Sequence, residues 1–185
     1  MKNDFGTVTA AGQGGNLGSA LSERPTIDDG AVLTRTVVVP SGVERLDVSI
    51  GSTSDTAADL DLSVNGPSGQ KTDADGDSEE SVSYLNPLPG TYTIEVDGYA
   101  VPAGTTQFDY LDVFTSSGLG SLAVSDAPAE LAAGATRTVS GTLTARTAAA
   151  DGRRLVGEMR FVSDGGALLG TGAVTVGAVT GGAPA

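Results

Sequence analysis

The sequence lacks cysteine, histidine and tryptophan. Without cysteine the chain forms no disulfide, and it offers no thiol nucleophile and no cysteine ligand for zinc or an iron–sulfur cluster. Without histidine it cannot assemble a Ser-His-Asp or Cys-His catalytic group, because both need an imidazole base. These absences exclude the commonest hydrolytic machineries and the commonest ligand of transition metals.

Positive charge is also scarce, since 10 Lys and Arg residues stand against 23 Asp and Glu, for a net charge of −13. A surface this acidic repels phosphate groups, which argues against nucleic acid as a partner. No apolar run approaches the roughly 18 residues of a membrane span, so no membrane partner is predicted. We also expect the protein to be a monomer. The N-terminus has no apolar signal-peptide core, and we interpret Met1 as the start of a cloned fragment or of a trimmed mature chain.

Charge is distributed unevenly along the chain. Residues 1–118 carry the whole net charge of −13, while residues 119–185 are neutral overall. The small-residue stretch at 116–120 between them suits a linker. The sequence therefore predicts an extended or weakly structured segment at 1–30, an acidic module at 31–117, a second module at 120–180 and a flexible tail at 181–185.

Alternation of apolar and polar residues predicts strands in both modules. In residues 44–50, Leu46, Val48 and Ile50 share one face, and residues 59–64 and 91–97 repeat the pattern. Turn residues such as Asn, Gly and Pro stand between these segments, and only 4 Phe and 4 Tyr are available to build a core. Many short strands of small side chains predict an all-β fold of two antiparallel β-sandwich modules, the first sandwich-like or jelly-roll-like and the second reduced.

Several motifs follow one another in an order typical of a known family. They are DLDLSV at 59–64, GPSG at 66–69, DSEESV at 77–82, NP at 86–87 and PGTYTIEVDGY at 89–99. With these motifs, residues 40–115 resemble the bacterial pre-peptidase C-terminal domain, a β-sandwich appended to secreted proteases.

The wider chain resembles the C-terminal extension of secreted subtilisin-like serine proteases. The resemblance implies a second, small module of immunoglobulin or fibronectin-III type, an extracellular location, and a parent protease catalytic domain as partner, with large protein substrates as further partners. It lends no catalysis to this chain, because the family's histidine has no counterpart here and no Gly-x-Ser-x-Gly motif occurs. The chain itself is therefore predicted not to be an enzyme.

The stretch KTDADGDSEES at 71–81 places five carboxylates within eight positions. Ca²⁺ takes six to eight oxygen ligands from flexible acidic loops, and two aspartates spaced two apart on a strand point from one face. If the loop folds over that face, both groups could share one ion. The candidate calcium ligands are Asp59, Asp61, Asp73, Asp75, Asp77 and Glu80.

Other interpretations of the same acids stay open. The spacing is not that of an EF-hand, because Ser78 and Tyr84 stand where that loop needs Gly and Glu. The acids could instead solvate a hairpin tip and guard a sheet edge, and Asp59 and Asp61 could bond nearby backbone amides. A glycosidase pair of carboxylates would need a sugar cleft with aromatic platforms, which this composition hardly supplies.

Three functions fit these observations. The first is a non-catalytic accessory region of a secreted protease that supports its stability or substrate engagement, with calcium as a stabilising ion. The second is an extracellular binding module for matrix protein or polysaccharide, although the shortage of aromatic residues argues against polysaccharide. The third, an adhesin or surface-layer repeat, predicts tandem copies, and no internal repeat is visible.

Overall fold

The computed structural model describes Lys2, residues 6–177 and Val179. In this part of the chain all regular structure is β, and no helix occurs, so none is long and apolar enough to cross a membrane. The predicted tail at 181–185 lies outside the described residues. The prediction of an all-β, antiparallel, sandwich-type fold is confirmed.

Seventeen strands lie in the described residues. They are β1 (Val8–Gln13), β2 (Gly15–Asn16), β3 (Gly18–Glu23), β4 (Thr26–Asp28), β5 (Val32–Val39), β6 (Arg45–Gly51), β7 (Asp59–Gly66), β8 (Gly69–Asp73), β9 (Ser81–Leu85), β10 (Gly90–Ala100), β11 (Thr105–Gln107), β12 (Asp109–Thr115), β13 (Gly120–Val124), β14 (Ala129–Leu131), β15 (Gly141–Ala145), β16 (Arg154–Ser163) and β17 (Leu168–Val176).

The chain divides into two compact units. One is Ser19–Ser116, and the other combines Met1–Gly18 with Ser117–Ala185. Strands β1 to β4 occupy most of residues 8–28, the segment for which the sequence predicts extended or weak structure. The N-terminal residues are therefore shared between the units, whereas the sequence pattern places them in neither module.

A four-stranded sheet with the order β5-β10-β7-β8 forms one layer of the Ser19–Ser116 unit. Its inward face carries Leu60, Leu62 and Val64 of β7 and Ile94 and Val96 of β10, all fully buried. These are the residues that the alternation places on one face. Each such side chain contributes about 1.5–3 kcal/mol when it leaves water, which fixes the register of the sheet.

The second layer of this unit has the order β3-β12-β6-β9. Its inward face carries Leu46 and Val48 of β6 and Tyr110 of β12, and a two-stranded sheet of β4 and β11 accompanies it. Tyr84 of β9 joins the layers, because its hydroxyl donates to the Val64 carbonyl oxygen at 2.8 Å and its ring meets that of Tyr92 edge-on at 5.2 Å. The unit is thus a β-sandwich closed by aromatic contacts.

The hairpin between β7 and β8 shows why glycine is needed at particular positions. Gly66 pairs with Gly69 across a two-residue turn, and Gly69 has a φ of 91°, a conformation that favours glycine. A Cβ on Gly66 would lie 2.4 Å from the Tyr92 ring. The GPSG motif therefore allows both the turn and the close packing of the Tyr92 ring against Gly66.

The strands of the other unit belong to two sheets. One has the order β14-β1-β16 with β17 on the far side of β16, and the second has the order β15-β13-β2. Leu17, Leu122 and Leu155 form its buried core. Strand β1 lies between β14 and β16 in the first sheet, so residues from both ends of the chain build one layer.

Candidate metal centre

The acidic stretch forms the connection from β8 to β9 and is held by its own side chains. Asp75 Oδ1 accepts the amide of Asp77 at 3.2 Å, and Asp77 Oδ1 accepts the amide of Glu79 at 2.8 Å. Such bonds from an aspartate to the backbone two residues later are typical of Asx turns. Alternating aspartates thus wind the chain into consecutive turns and leave their second carboxylate oxygens free for other partners.

The same loop is anchored to β7 and to the segment before it. The amide of Leu60 donates to the Asp77 carbonyl oxygen at 3.2 Å, and the buried Ser78 hydroxyl donates to the Ala58 carbonyl oxygen at 2.6 Å. A buried hydroxyl needs such a partner, because an unpaired one costs free energy. These two bonds fix the position of the acidic loop against the sandwich.

Glu80 is the buried acid of the loop, with 1% of its surface exposed. Its Oε1 accepts the amide of Asp75 at 3.3 Å, and its own carbonyl oxygen accepts the amide of Ile50 at 3.0 Å. Its Oε2 is buried without any hydrogen-bond partner. A buried carboxylate oxygen with no partner is costly, so this oxygen needs either a proton, which it can share with the Asp73 carboxyl group, or a cation.

Asp75, Asp77 and Glu80 each bring one carboxylate oxygen within 4.8 Å of the other two. Oxygens bound to one Ca²⁺ at 2.3–2.6 Å lie at most about 5 Å apart, so the three side chains fit a single calcium ion. Carbonyl oxygens and water would complete the coordination. The chemistry of the donors, all of them hard oxygens, also fits calcium better than a transition metal.

Burial and the neighbouring carboxylates both change the pKa of Glu80. Burial raises the pKa of Glu80 from 4.5 to about 7, against the lowering effect of the hydrogen bond from the Asp75 amide. The neighbouring carboxylates of Asp73 and Asp75 raise the pKa further, and so does a hydrogen bond between the protonated Glu80 carboxyl group and Asp73. A bound cation would favour the ionised carboxylate and reverse this shift.

Asp73 stands beside this group, and its Oδ2 accepts the amide of Ser81 at 2.9 Å. It ends β8, where it pairs with Leu62 of β7. Asp73 thus fixes the start of β9 next to Glu80, whereas the set of three mutually close oxygens comprises Asp75, Asp77 and Glu80.

Asp59 and Asp61 project from the outward face of β7. Asp61 lies directly opposite Asp97 of β10, and burial raises its pKa, followed by the charges of Asp59 and Asp97. Asp59 Oδ1 is buried without a hydrogen-bond partner. The structure therefore groups these aspartates with Asp97, a residue absent from the predicted set, and sharing of one ion with the loop stays a prediction.

The sequence contains a signal that would have distinguished Glu80 from its neighbours. The apolar residues Val82 and Tyr84 are two apart, and the same spacing extended backwards places Glu80 and Ser78 on the inward face, where the structure has both residues buried. Glu80 thus occupies a core position. The composition of the stretch hides this, because every acid in it has the same side-chain chemistry.

Comparison with known proteins bears on the segment that contains this loop. Residues 32–98 match the family model of the bacterial pre-peptidase C-terminal domain. Pyrolysin of Pyrococcus furiosus is 34% identical over 87 residues, which cover 46% of this chain. The chain spans only 6% of the length of that relative.

Solved structures give weaker similarities. The periplasmic inhibitor of g-type lysozyme PliG from Aeromonas hydrophila is 19% identical, with a TM-score of 0.37 over 52% of this chain and 86% of its own. The lipase BlEst2 of Bacillus licheniformis in its propeptide form is 11% identical, with a TM-score of 0.39 over 84% and 40%. The CBM36-1 domain of a xylanase from the hindgut metagenome of Trinervitermes trinervoides is 17% identical, with a TM-score of 0.31 over 52% and 95%.

TM-scores this low do not establish a shared fold, so the family assignment depends on the sequence match. That match begins at Val32, the first residue of β5, and ends at Gly98 of β10. It contains the acidic loop and every strand of the four-stranded sheet. The resemblance to the bacterial pre-peptidase C-terminal domain, which the motifs predict for residues 40–115, is confirmed, with the match itself at residues 32–98.

Proposed function

We propose that this chain is a non-catalytic accessory region of a secreted subtilisin-like serine protease, and that one Ca²⁺ ion in its acidic loop stabilises it. The observation that carries the proposal is the match of residues 32–98 to a domain named for its association with peptidases. The similarity to pyrolysin, a subtilisin-like protease, points to the same kind of parent.

The lack of catalysis is supported by the chemistry of the side chains. The sequence contains no cysteine, so it has no thiol nucleophile, and it contains no histidine, so a serine nucleophile would have no imidazole base. The carboxylates that cluster in the acidic loop are occupied with backbone amides or crowd one another. Their arrangement suits cation binding better than proton transfer to a substrate.

The calcium ion would be held by Asp75, Asp77 and Glu80. The buried Oε2 of Glu80 supports this assignment, because it accepts no hydrogen bond and a cation would satisfy it in the ionised form. The loop is anchored to β7 through Leu60 and Ser78, so calcium would tie the β8–β9 connection to the sandwich. The expected role is resistance of the domain to heat and proteolysis outside the cell.

The test of the accessory role uses the chain alone and the longer protein that the proposal implies. The isolated chain is incubated with casein and with gelatin, and neither should be hydrolysed. In a protease that carries this region, deletion of the region should leave peptide hydrolysis intact while shortening the half-life at elevated temperature or slowing hydrolysis of large proteins. Hydrolysis by the isolated chain would refute the proposal, as would a deletion that alters neither property.

A further inference from the structure

The outward face of the four-stranded sheet carries charge in an ordered way. In the register of this sheet, Val32 of β5 lies opposite Asp97 of β10, which lies opposite Asp61 of β7. One step along, Thr34 lies opposite Glu95, which lies opposite Ser63. Each row therefore starts with an uncharged side chain at the sheet edge and reaches carboxylates about 4.8 Å further in, at the next strand.

No described residue on this outward face is basic. Thr36, Val38, Thr91 and Thr93 continue the uncharged part, and Asn65, Gln70 and Thr72 lie towards β8. The basic residues of the same strands, Arg35 and Lys71, belong to the opposite face, where Arg35 pairs with Glu23 and Lys71 bonds the Ser83 carbonyl oxygen. The carboxylates of the outward face thus have no cation of their own sheet to neutralise them.

Two exposed apolar side chains lie on the strands that form this face. Val32 is 57% exposed, and Tyr99, in the bulge of β10 that follows Asp97, is 69% exposed. Water is a poor environment for both side chains. An exposed aliphatic side chain and carboxylates on the next strands together match a lysine or arginine side chain, which has an apolar stem and a cationic head.

We propose that this outward face binds a basic, extended segment of a partner protein. Lysine or arginine side chains of that segment lie along the rows, with their stems over Val32 and Thr34 and their charges at Asp97, Asp61 and Glu95. Besides burial, the charges of Asp59 and Asp97 raise the pKa of Asp61, and a cationic head beside these carboxylates relieves that repulsion. The proposal does not depend on a parent protease or on calcium in the acidic loop.

A peptide fits this face better than a metal ion does. Among the described residues, the acidic group with mutually close ligand oxygens is Asp75, Asp77 and Glu80, and Asp59, Asp61 and Asp97 are not part of it. Carboxylates spread along a sheet suit several separate cationic heads on an extended chain, whereas one Ca²⁺ needs its oxygens within about 5 Å of one another. Charge complementarity therefore favours a basic polypeptide as the occupant.

The test measures binding of a fluorescein-labelled decapeptide of alternating lysine and threonine to the full chain by anisotropy at low salt. A peptide with glutamine in place of every lysine is the control. Two-dimensional NMR with the unlabelled peptide locates the site, and all measurements are made both with saturating Ca²⁺ and with EDTA. We expect binding of the lysine peptide alone, weakened by salt, with shifted amides in β5, β10 and β7 under both conditions.

Matched variants make the test specific. Asp97→Asn should weaken binding about three- to fivefold, as expected for an exposed ion pair, while Glu44→Gln, which changes the net charge equally but lies off this face, should not. Thr34→Lys supplies a cation opposite Glu95 and should compete with the peptide, whereas Thr142→Lys in β15 should have a smaller effect. Equal effects of matched variants, shifts confined to the loop at 71–81, or shifts of the face amides with Ca²⁺ but not with peptide would overturn the proposal.

Discussion

The Oε1 atom of Glu80 accepts the amide of Asp75 at 3.3 Å, so the buried acid that ends the loop is bonded to the exposed acid near its start. The bond closes a short loop of the chain, and the carboxylates of Asp75 and Asp77 lie close to that of Glu80. It leaves Oε2 of Glu80 without a partner inside the protein. Ca²⁺ binding and acid titration should therefore both act through this residue.

The first prediction concerns calcium and heat. Ca²⁺ at about one hundred times its dissociation constant stabilises the folded state by about 2.7 kcal/mol, which for a chain of this size raises the melting midpoint by roughly 5–10 °C. Glu80→Gln should abolish most of that rise, because an amide is a weaker calcium ligand. The measurement is a calorimetric melt with Ca²⁺ or with EDTA.

The control for this melt is Glu95→Gln, which makes the same chemical change on an exposed strand position. Its calcium-dependent rise should equal that of the unaltered chain. If the unaltered chain melts at one temperature with and without calcium, the stabilising ion does not exist. If Glu80→Gln keeps the full rise, calcium binds elsewhere.

The second prediction concerns pH in the absence of metal. The folded-state pKa of Glu80, about 7, lies above its ordinary value of 4.5, so between these values the folded chain holds a proton that the unfolded chain has released. The stability from protonated Glu80 is fully present below about pH 4.5 and is lost as the pH rises to about 7, by up to about 3 kcal/mol. Comparison with Glu80→Gln by urea unfolding in EDTA isolates this contribution.

We expect the unaltered chain to lose stability relative to Glu80→Gln through that pH window and to run parallel to it above the window. Carboxylates remote from Glu80 contribute equally to both proteins and cancel in the difference, whereas Asp73 and Asp75 interact with Glu80 directly, so the difference reports on the whole carboxylate group. Parallel curves from pH 4.5 to 7 would show that Glu80 ionises in the folded chain as it does in water.

The third prediction separates the two groups of acids. Asp61→Asn should leave the calcium-dependent rise of the melting midpoint unchanged and should itself raise the midpoint at neutral pH, because it removes a carboxylate whose pKa is raised by burial and by Asp59 and Asp97. Asp75→Asn should instead reduce the calcium effect. Loss of the calcium effect in Asp61→Asn would show that β7 and the loop share one ion, as the sequence pattern predicts.

The fourth prediction concerns the seat of Tyr92. Gly66→Ala places a methyl group 2.4–2.7 Å from atoms of the Tyr92 ring, which forces the ring to move and costs about 1–3 kcal/mol. Gly76→Ala in the acidic loop is the control, since its Cβ would meet nothing within 4 Å. Urea unfolding should show a loss for the first and little change for the second. Equal stabilities would mean that the ring shifts at no cost.

Much of the sandwich could be predicted from sequence because its strands alternate. Apolar positions that recur every second residue predict strands at residues 44–50, 59–64 and 91–97, and the structure has β6, β7 and β10 there. Strands without this alternation are not predicted from the sequence. Strand β1 (VTAAGQ) is made mostly of small residues, and β8 (GQKTD) is a polar edge strand with almost every residue exposed.

The candidate site was only partly predictable, for a physical reason. Composition identifies a stretch rich in carboxylates, but burial decides which carboxylate lacks a partner, and burial depends on the tertiary fold. Glu79 and Glu80 are neighbours of identical chemistry, yet Glu79 accepts the exposed amide of Ser52 at 3.1 Å whereas Glu80 faces the core. Asp97 joins the group around Asp61 only through strand pairing.

The placement of β1 in the sheet order β14-β1-β16 has a practical consequence for anyone who dissects this chain. A fragment that starts after residue 118 keeps β14 and β16 but loses the strand that pairs with both. Two exposed edges would then face the solvent where one continuous sheet had been, and such edges invite aggregation. The Ser19–Ser116 unit, by contrast, is a single uninterrupted stretch of the chain.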